Sequence, residues 1–139
     1  MPVLSDRVGT FTDSVIRRMT RINNQYDSIN LSQGFPDFDP PQQLLDALAK
    51  TAYNGPHQYA VTFGAQNFRE ALAKKISPAL HHEVDPNTEV CVTCGGTEAM
   101  MAAMMTICNP GDKVMIFSPF YENYGADAIL SGAEPIYIP

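Results

Sequence analysis

The stretch from Glu89 to Pro139 constrains the fold more than any other part of this chain. Short apolar runs alternate there with segments of helical period. A strand is expected over 89–93, a helix over about 97–107, a strand over 113–117, a helix over about 121–131 and a strand over 135–138. The breaks between them, "CGGTEA" and "NPGD", are rich in glycine, proline and aspartate. Strands separated by single helices pair in parallel through right-handed crossovers, so the region reads as a βαβαβ unit of an α/β protein. Ligands of such sheets sit beyond the carboxyl ends of the strands.

The amino-terminal half reads as helices joined by shaped loops. "TDSVIRRMTRINN" places Val15, Ile16, Met19 and Ile22 on one helical face, with Thr12 as a cap. "SINLS" reads as a short strand, and "QGFPDFDPP" as a loop held by its prolines, with Asp37 and Asp39 capping backbone N–H groups. Pro40 and Pro41 precede a helix whose face is Leu44, Leu45, Leu48 and Ala52. A further helix runs from about Ala65 to Ser77, with Pro78 as its end or a kink.

Composition narrows the function classes. With 45% hydrophobic and 17% charged residues in 139, the chain can bury a core. A net charge of −6, and no basic cluster longer than Arg17-Arg18 or Lys74-Lys75, argue against a nucleic-acid surface. No apolar run approaches the roughly 20 residues of a membrane span and no secretory leader is evident, so a cytoplasmic location is expected. Cys91 and Cys94 form a C-x-x-C, but only Cys108 and scattered histidines could complete a metal site. They read as small buried hydrophobes, and Met100, Met101, Met104 and Met105 as helix packing against the sheet.

The junction "CVTCGGTEA" carries the chemistry. A helix that begins near Thr97 leaves backbone N–H groups unpaired at its positive end, which suits a phosphate. Gly95 and Gly96 permit close approach, and the Thr97 hydroxyl adds a donor. The spacing is neither G-x-G-x-x-G nor a P-loop. Taken alone, the same residues also describe a tight strand-to-helix turn.

Five ordered blocks decide between the two. "NLSQGFPDFDPP" (30–41), "HQYAVTFG" (57–64), "VTCGGTEA" (92–99), "NPGDKV" (109–114) and "SPFYENY" (118–124) resemble the amino-terminal third of class I aminotransferases. These are pyridoxal-phosphate enzymes of fold type I. The similarity is strongest to the branch holding the kynurenine, glutamine and methionine aminotransferases, and it extends from about Val15 to Pro139. The resemblance implies that residues 1–40 form an amino-terminal helix and substrate-side loop, and that 41–139 begin the large cofactor-binding domain.

It also implies roles, position by position. Gly95, Gly96 and Thr97 match the residues that hold the phosphate of pyridoxal 5'-phosphate. Tyr121 matches the aromatic residue that stacks on the pyridine ring, and Tyr124 is a weaker member of the same pocket. Tyr59 matches a tyrosine that reaches the other subunit's phosphate, which implies a homodimer. Gly34 lies where a backbone meets the substrate carboxylate, and Phe35 near the substrate side chain. The substrates implied are an amino acid and a 2-oxo acid.

No residue here matches the catalytic Schiff-base lysine, since Lys50, Lys74, Lys75 and Lys113 stand elsewhere. The sequence stops at Pro139 directly after a strand, so it reads as a truncated chain that does not transaminate by itself. A carbon–sulfur lyase on the same scaffold and a non-catalytic module that keeps only the phosphate cup are the alternatives.

Overall fold

A computed structural model of the chain describes residues 3–139. They divide into two compact units, Thr10–Gln58 and a second formed by Tyr59–Pro139 with the stretch that ends at Gly9.

In the Thr10–Gln58 unit, helix α1 spans Val15–Tyr26 and helix α2 spans Gln42–Asn54. The cap of α1 is Ser14 and not Thr12: its Oγ accepts from the N–H of Arg17 at 3.3 Å. "SINLS" is no strand. The Asn30 side chain accepts from the N–H groups of Ser32 and Gln33 at 3.0 and 3.3 Å and donates to Thr20 Oγ1 on α1 at 3.2 Å. An asparagine folded back on its own backbone makes a turn and removes the donors a ladder would need. Asp37 and Asp39 do not cap the loop as expected: their carboxylates accept no backbone N–H among the described residues, and Asn30 caps only its entry at Ser32 and Gln33. Pro41 caps α2, whose expected stripe of Leu44, Leu45 and Leu48 stays exposed.

In the other unit, α3 spans Gln66–Leu80, α4 Gly95–Ile107 and α5 Asn123–Leu130; strand β1 spans Lys113–Phe117 and β2 Glu134–Ile138. Pro78 ends nothing: it lies in the last turn of α3, and the helix closes at His81 in left-handed conformation, φ 50°. Ala73, Val84 and Val90 form a small core against α3, with Leu72 and Ile76 packed on it.

β1 and β2 pair in parallel with Lys113 opposite Glu134 and Phe117 opposite Ile138, and α5 is their crossover. This is the expected unit less one strand. The segment 89–93 is extended but joins no ladder among the described residues; at its centre the Val92 N–H donates to the Phe63 carbonyl at 3.0 Å. An apolar run announces a strand, whereas a strand exists only through its partner. Without cover on both faces, Cys91 and Cys94 are exposed and Cys108 is half-buried, so the cysteines are not the buried hydrophobes expected. Met105 is likewise exposed, while Met100, Met101 and Met104 are half-buried.

A buried arginine organises the approach to α4. Arg69 is 6% exposed; its Nε donates to the Gly64 carbonyl at 3.1 Å, and its Nη atoms donate to the Pro86 carbonyl and to Gln66 Oε1. Gly64 has φ +106°, and a Cβ there would stand 2.5 Å from Val92, so only glycine lets this loop lie against the segment that leads into α4.

Candidate functional site

Helix α4 begins at Gly95, two residues before the sequence pattern suggests, with Gly95 at φ +81°. A residue other than glycine would be strained there. The space in front of the helix is open, since a Cβ at Gly95 or Gly96 would meet nothing within 4 Å. Helix geometry leaves the first N–H groups without intrahelical acceptors, and those of Gly96 and Thr97 find none among the described residues. The Glu98 carboxylate turns back to accept the Cys94 N–H, and Thr93 Oγ1 donates to the Gly95 carbonyl at 3.0 Å.

A cavity of about 310 Å³ opens on this helix start. Gly96, Thr97 and Met100 of α4 form one wall; Tyr121, Asn123 and Tyr124 form the other. Asn123 Nδ2 donates to Thr97 Oγ1 at 3.4 Å, which leaves the threonine hydrogen free for an anion. The rings of Tyr121 and Tyr124 meet edge to face at 5.9 Å and 76°, so Tyr124 fixes the plane of Tyr121.

The structure thus brings together Gly96, Thr97, Tyr121 and Tyr124, with Gly95 supporting the turn from behind. Tyr59 lies outside the cavity and is 100% exposed. Gly34 and Phe35 belong to the Thr10–Gln58 unit and are exposed.

Two residues of the wall escaped the sequence reading. Asn123 looks like an ordinary first-turn asparagine, and its role shows only when α5 is set beside α4. Asp127, four residues on, has the spacing of a solvent-facing carboxylate yet lines the cavity at 5% exposure. Its Oδ2 has no hydrogen-bond partner, and burial pushes its carboxyl above the usual carboxylate range.

The residues present fit a phosphate monoester attached to a flat ring. The glycine-opened helix start offers N–H donors and a hydroxyl to the phosphate, and the Tyr121 face lies beside them for the ring. Among the described residues no helix is long and apolar enough to cross a membrane.

The family model for aminotransferase class I and II matches residues 26–139. A methionine aminotransferase of Escherichia coli strain K12 is 40% identical over 119 residues, 86% of this chain and 31% of its own length. A probable N-succinyldiaminopimelate aminotransferase of Mycobacterium tuberculosis is 33% identical over 133 residues, 96% of this chain and 34% of its own length. Among solved structures, the Escherichia coli methionine aminotransferase superposes with TM-score 0.89 at 34% identity, covering 99% of this chain and 36% of that one. The Mycobacterium tuberculosis N-succinyldiaminopimelate aminotransferase gives 0.90 at 32% identity, with the same coverages of 99% and 36%. The chain therefore spans about a third of the length of the relatives it matches. Its α/β fold is that of an amino-terminal portion of these enzymes, and the chain belongs to the class I and II aminotransferase family.

Proposed function

We propose that this chain is the amino-terminal portion of a pyridoxal-phosphate-dependent amino acid aminotransferase and supplies the phosphate cup and ring platform of its site. The observation that carries the reading is the single cavity shared by the α4 helix start and Tyr121. Pyridoxal 5'-phosphate, when bound, supplies an electron sink for transfer of an amino group between an amino acid and a 2-oxo acid.

Each residue then has a physical task. Gly96 and Thr97 hold the phosphate through backbone N–H groups, and the Thr97 hydroxyl, oriented by Asn123, donates to one of its oxygens. Tyr121, braced by Tyr124, keeps the ring flat against its face and in one orientation. Tyr59, free of its own unit's cavity, extends to the phosphate of a second subunit in a homodimer. Gly34 and Phe35 border the substrate, in an arm formed by residues 1–40 that precedes the cofactor domain of 41–139. No lysine of this chain serves as the proton-transferring base, so the chain by itself binds without turnover.

The test follows label from a 15N-amino acid into a 2-oxo acid, using the full-length gene product. Transfer that is lost with Thr97→Val and Tyr121→Ala supports the reading. Release of pyruvate and ammonia without an amino acceptor would replace it with the lyase, and absence of both reactions would leave a phosphate-binding module.

A further inference from the structure

The chain that leaves α1 turns back along one face of that helix. At the carboxyl end Ser28 Oγ donates to Asn23 Oδ1 at 3.1 Å, and the Ser28 N–H donates to the Asn23 carbonyl at 3.2 Å. One turn earlier on the same face stands Thr20, whose hydroxyl accepts from Asn30 Nδ2 at 3.2 Å. The single hydrogen of that hydroxyl lies within reach of the Ile16 carbonyl at 3.0 Å and of Gln33 Oε1 at 3.2 Å. Asn30 Oδ1 accepts from the N–H groups of Ser32 and Gln33 at 3.0 and 3.3 Å and from Ser32 Oγ at 2.8 Å. One half-buried amide thus closes the turn with its oxygen and ties that turn to the helix with its nitrogen.

This junction holds the stretch that leads into Gly34 and Phe35. The backbone is fixed at Gln33 by its bond to Asn30, and Pro36 keeps Phe35 out of the helical region. Gly34 is the pliable joint between these two fixed points. The direction in which the chain enters Phe35 is therefore set by Asn30.

We propose that Asn30 is the positioning residue of the substrate-side loop: by anchoring residues 32–33 to Thr20 of α1 it sets where Gly34 and Phe35 meet the amino acid substrate. The proposal rests on the substrate-side reading of Gly34 and Phe35 above. The residues of the junction belong to the Thr10–Gln58 unit, whereas the phosphate cup is built from the other unit. Loosening the junction therefore weakens the grip on the amino acid and leaves the grip on the cofactor phosphate as it was. A loop that is no longer anchored has to be ordered at the expense of substrate binding, which raises KM. A tie that served stability alone would lower the amount of folded enzyme and with it the apparent kcat, leaving KM unchanged.

The experiment measures steady-state transamination by the full-length gene product, with L-methionine as donor and 2-oxoglutarate as acceptor, beside a titration with pyridoxal 5'-phosphate. For Asn30→Ala, KM for methionine is expected to rise about tenfold, with kcat within about twofold and cofactor affinity unchanged. Thr20→Val cuts the tie but leaves the turn, so about threefold is expected from it alone and little more when it is added to Asn30→Ala. Asn30→Asp rescues, because a carboxylate still accepts the two N–H groups and takes the Thr20 hydrogen. Should Asn30→Ala fail to fold, the same division between KM and kcat in Thr20→Val decides. A fall in kcat at unchanged KM, or cofactor affinity lost in parallel, refutes the proposal. So does an unchanged KM in Asn30→Ala when Phe35→Ala raises it, and this outcome leaves the reading of the loop standing. Absence of any transfer, or an unchanged KM in Phe35→Ala, would overturn that reading and the proposal with it.

Discussion

Replacing Arg69 tests whether a buried cation can hold the loop at Gly64 and the turn at Pro86 chiefly through carbonyl acceptors, with the Asp85 carboxylate only a nearby charge. Its guanidinium makes bonds to two carbonyls and one side-chain amide oxygen, and among the described residues no salt bridge engages it. Hydrogen bonds from a charged donor contribute about 1.5–3 kcal/mol each, so three have a gross value of about 4–9 kcal/mol. Burying the cation offsets several kcal/mol of that, and the half-buried Gly64 and Pro86 carbonyls recover water when the donor leaves. The net loss for Arg69→Met is therefore about 2–3 kcal/mol. For a domain of this size that lowers the midpoint of thermal unfolding by about 10 °C. Arg69→Lys reaches one acceptor at a time and recovers less than half. Urea unfolding gives the free energy, and hydrogen exchange at Val92, whose N–H is bonded to Phe63, reports the local loosening. A loss below about 0.5 kcal/mol for Arg69→Met, the range of a plain surface change, would refute the reasoning.

Two of the positive-φ glycines, Gly64 and Gly95, separate backbone strain from collision. Gly95→Ala meets open space and costs about 1 kcal/mol from its positive φ, read in urea, whereas Gly64→Ala adds a clash with Val92 and costs at least about 3 kcal/mol. The stability of the unaltered chain falls as pH rises from the ordinary aspartate range to the raised value of Asp127, because the folded chain keeps a proton that the unfolded one has released. Asp127→Asn removes that slope, so its stability relative to the unaltered chain rises across this window in pH-dependent unfolding. Asp85 and Glu89 behave oppositely. The Asn87 N–H holds the Asp85 carboxyl low, and the Asp85 N–H, then His82, does the same for Glu89. Their contribution is present above the ordinary carboxylate range and is lost as pH falls through the lowered values, so Glu89→Gln flattens the acid limb of the same titration.

What the sequence made legible was local. Strand 113–117 and the strand ending at Ile138 stand where alternation put them, because the β-branched and aromatic residues there also face a partner. Helix α5 starts at Asn123, two residues late, and α4 at Gly95, two early. Chain ends of helices depend on single turns that periodicity averages away. The extended segment 89–93 and "SINLS" were misread for separate reasons. The first lacks a ladder partner among the described residues, and the second is turned by one asparagine side chain. Glycine and threonine spacing marked Gly96 and Thr97 as a helix start, which they are, but left a phosphate site and a plain tight turn both open until the resemblance was added. Asn123 and Asp127 stayed hidden because an i, i+4 polar pair is the ordinary mark of an exposed helix face, and only the approach of α4 makes it a wall.

The Glu98 carboxylate, folded back on the Cys94 N–H, gives the α4 start a tethered counter-ion of its own. On the proposed cofactor reading, an incoming phosphate would meet a dipole already partly neutralised, so the cup would attract it less strongly than a bare helix end. Conversely, when the phosphate leaves, the helix end is not abandoned to solvent as an uncompensated positive pole. The difference between the full and empty cup is thereby narrowed, which favours exchange of the ligand over permanent retention.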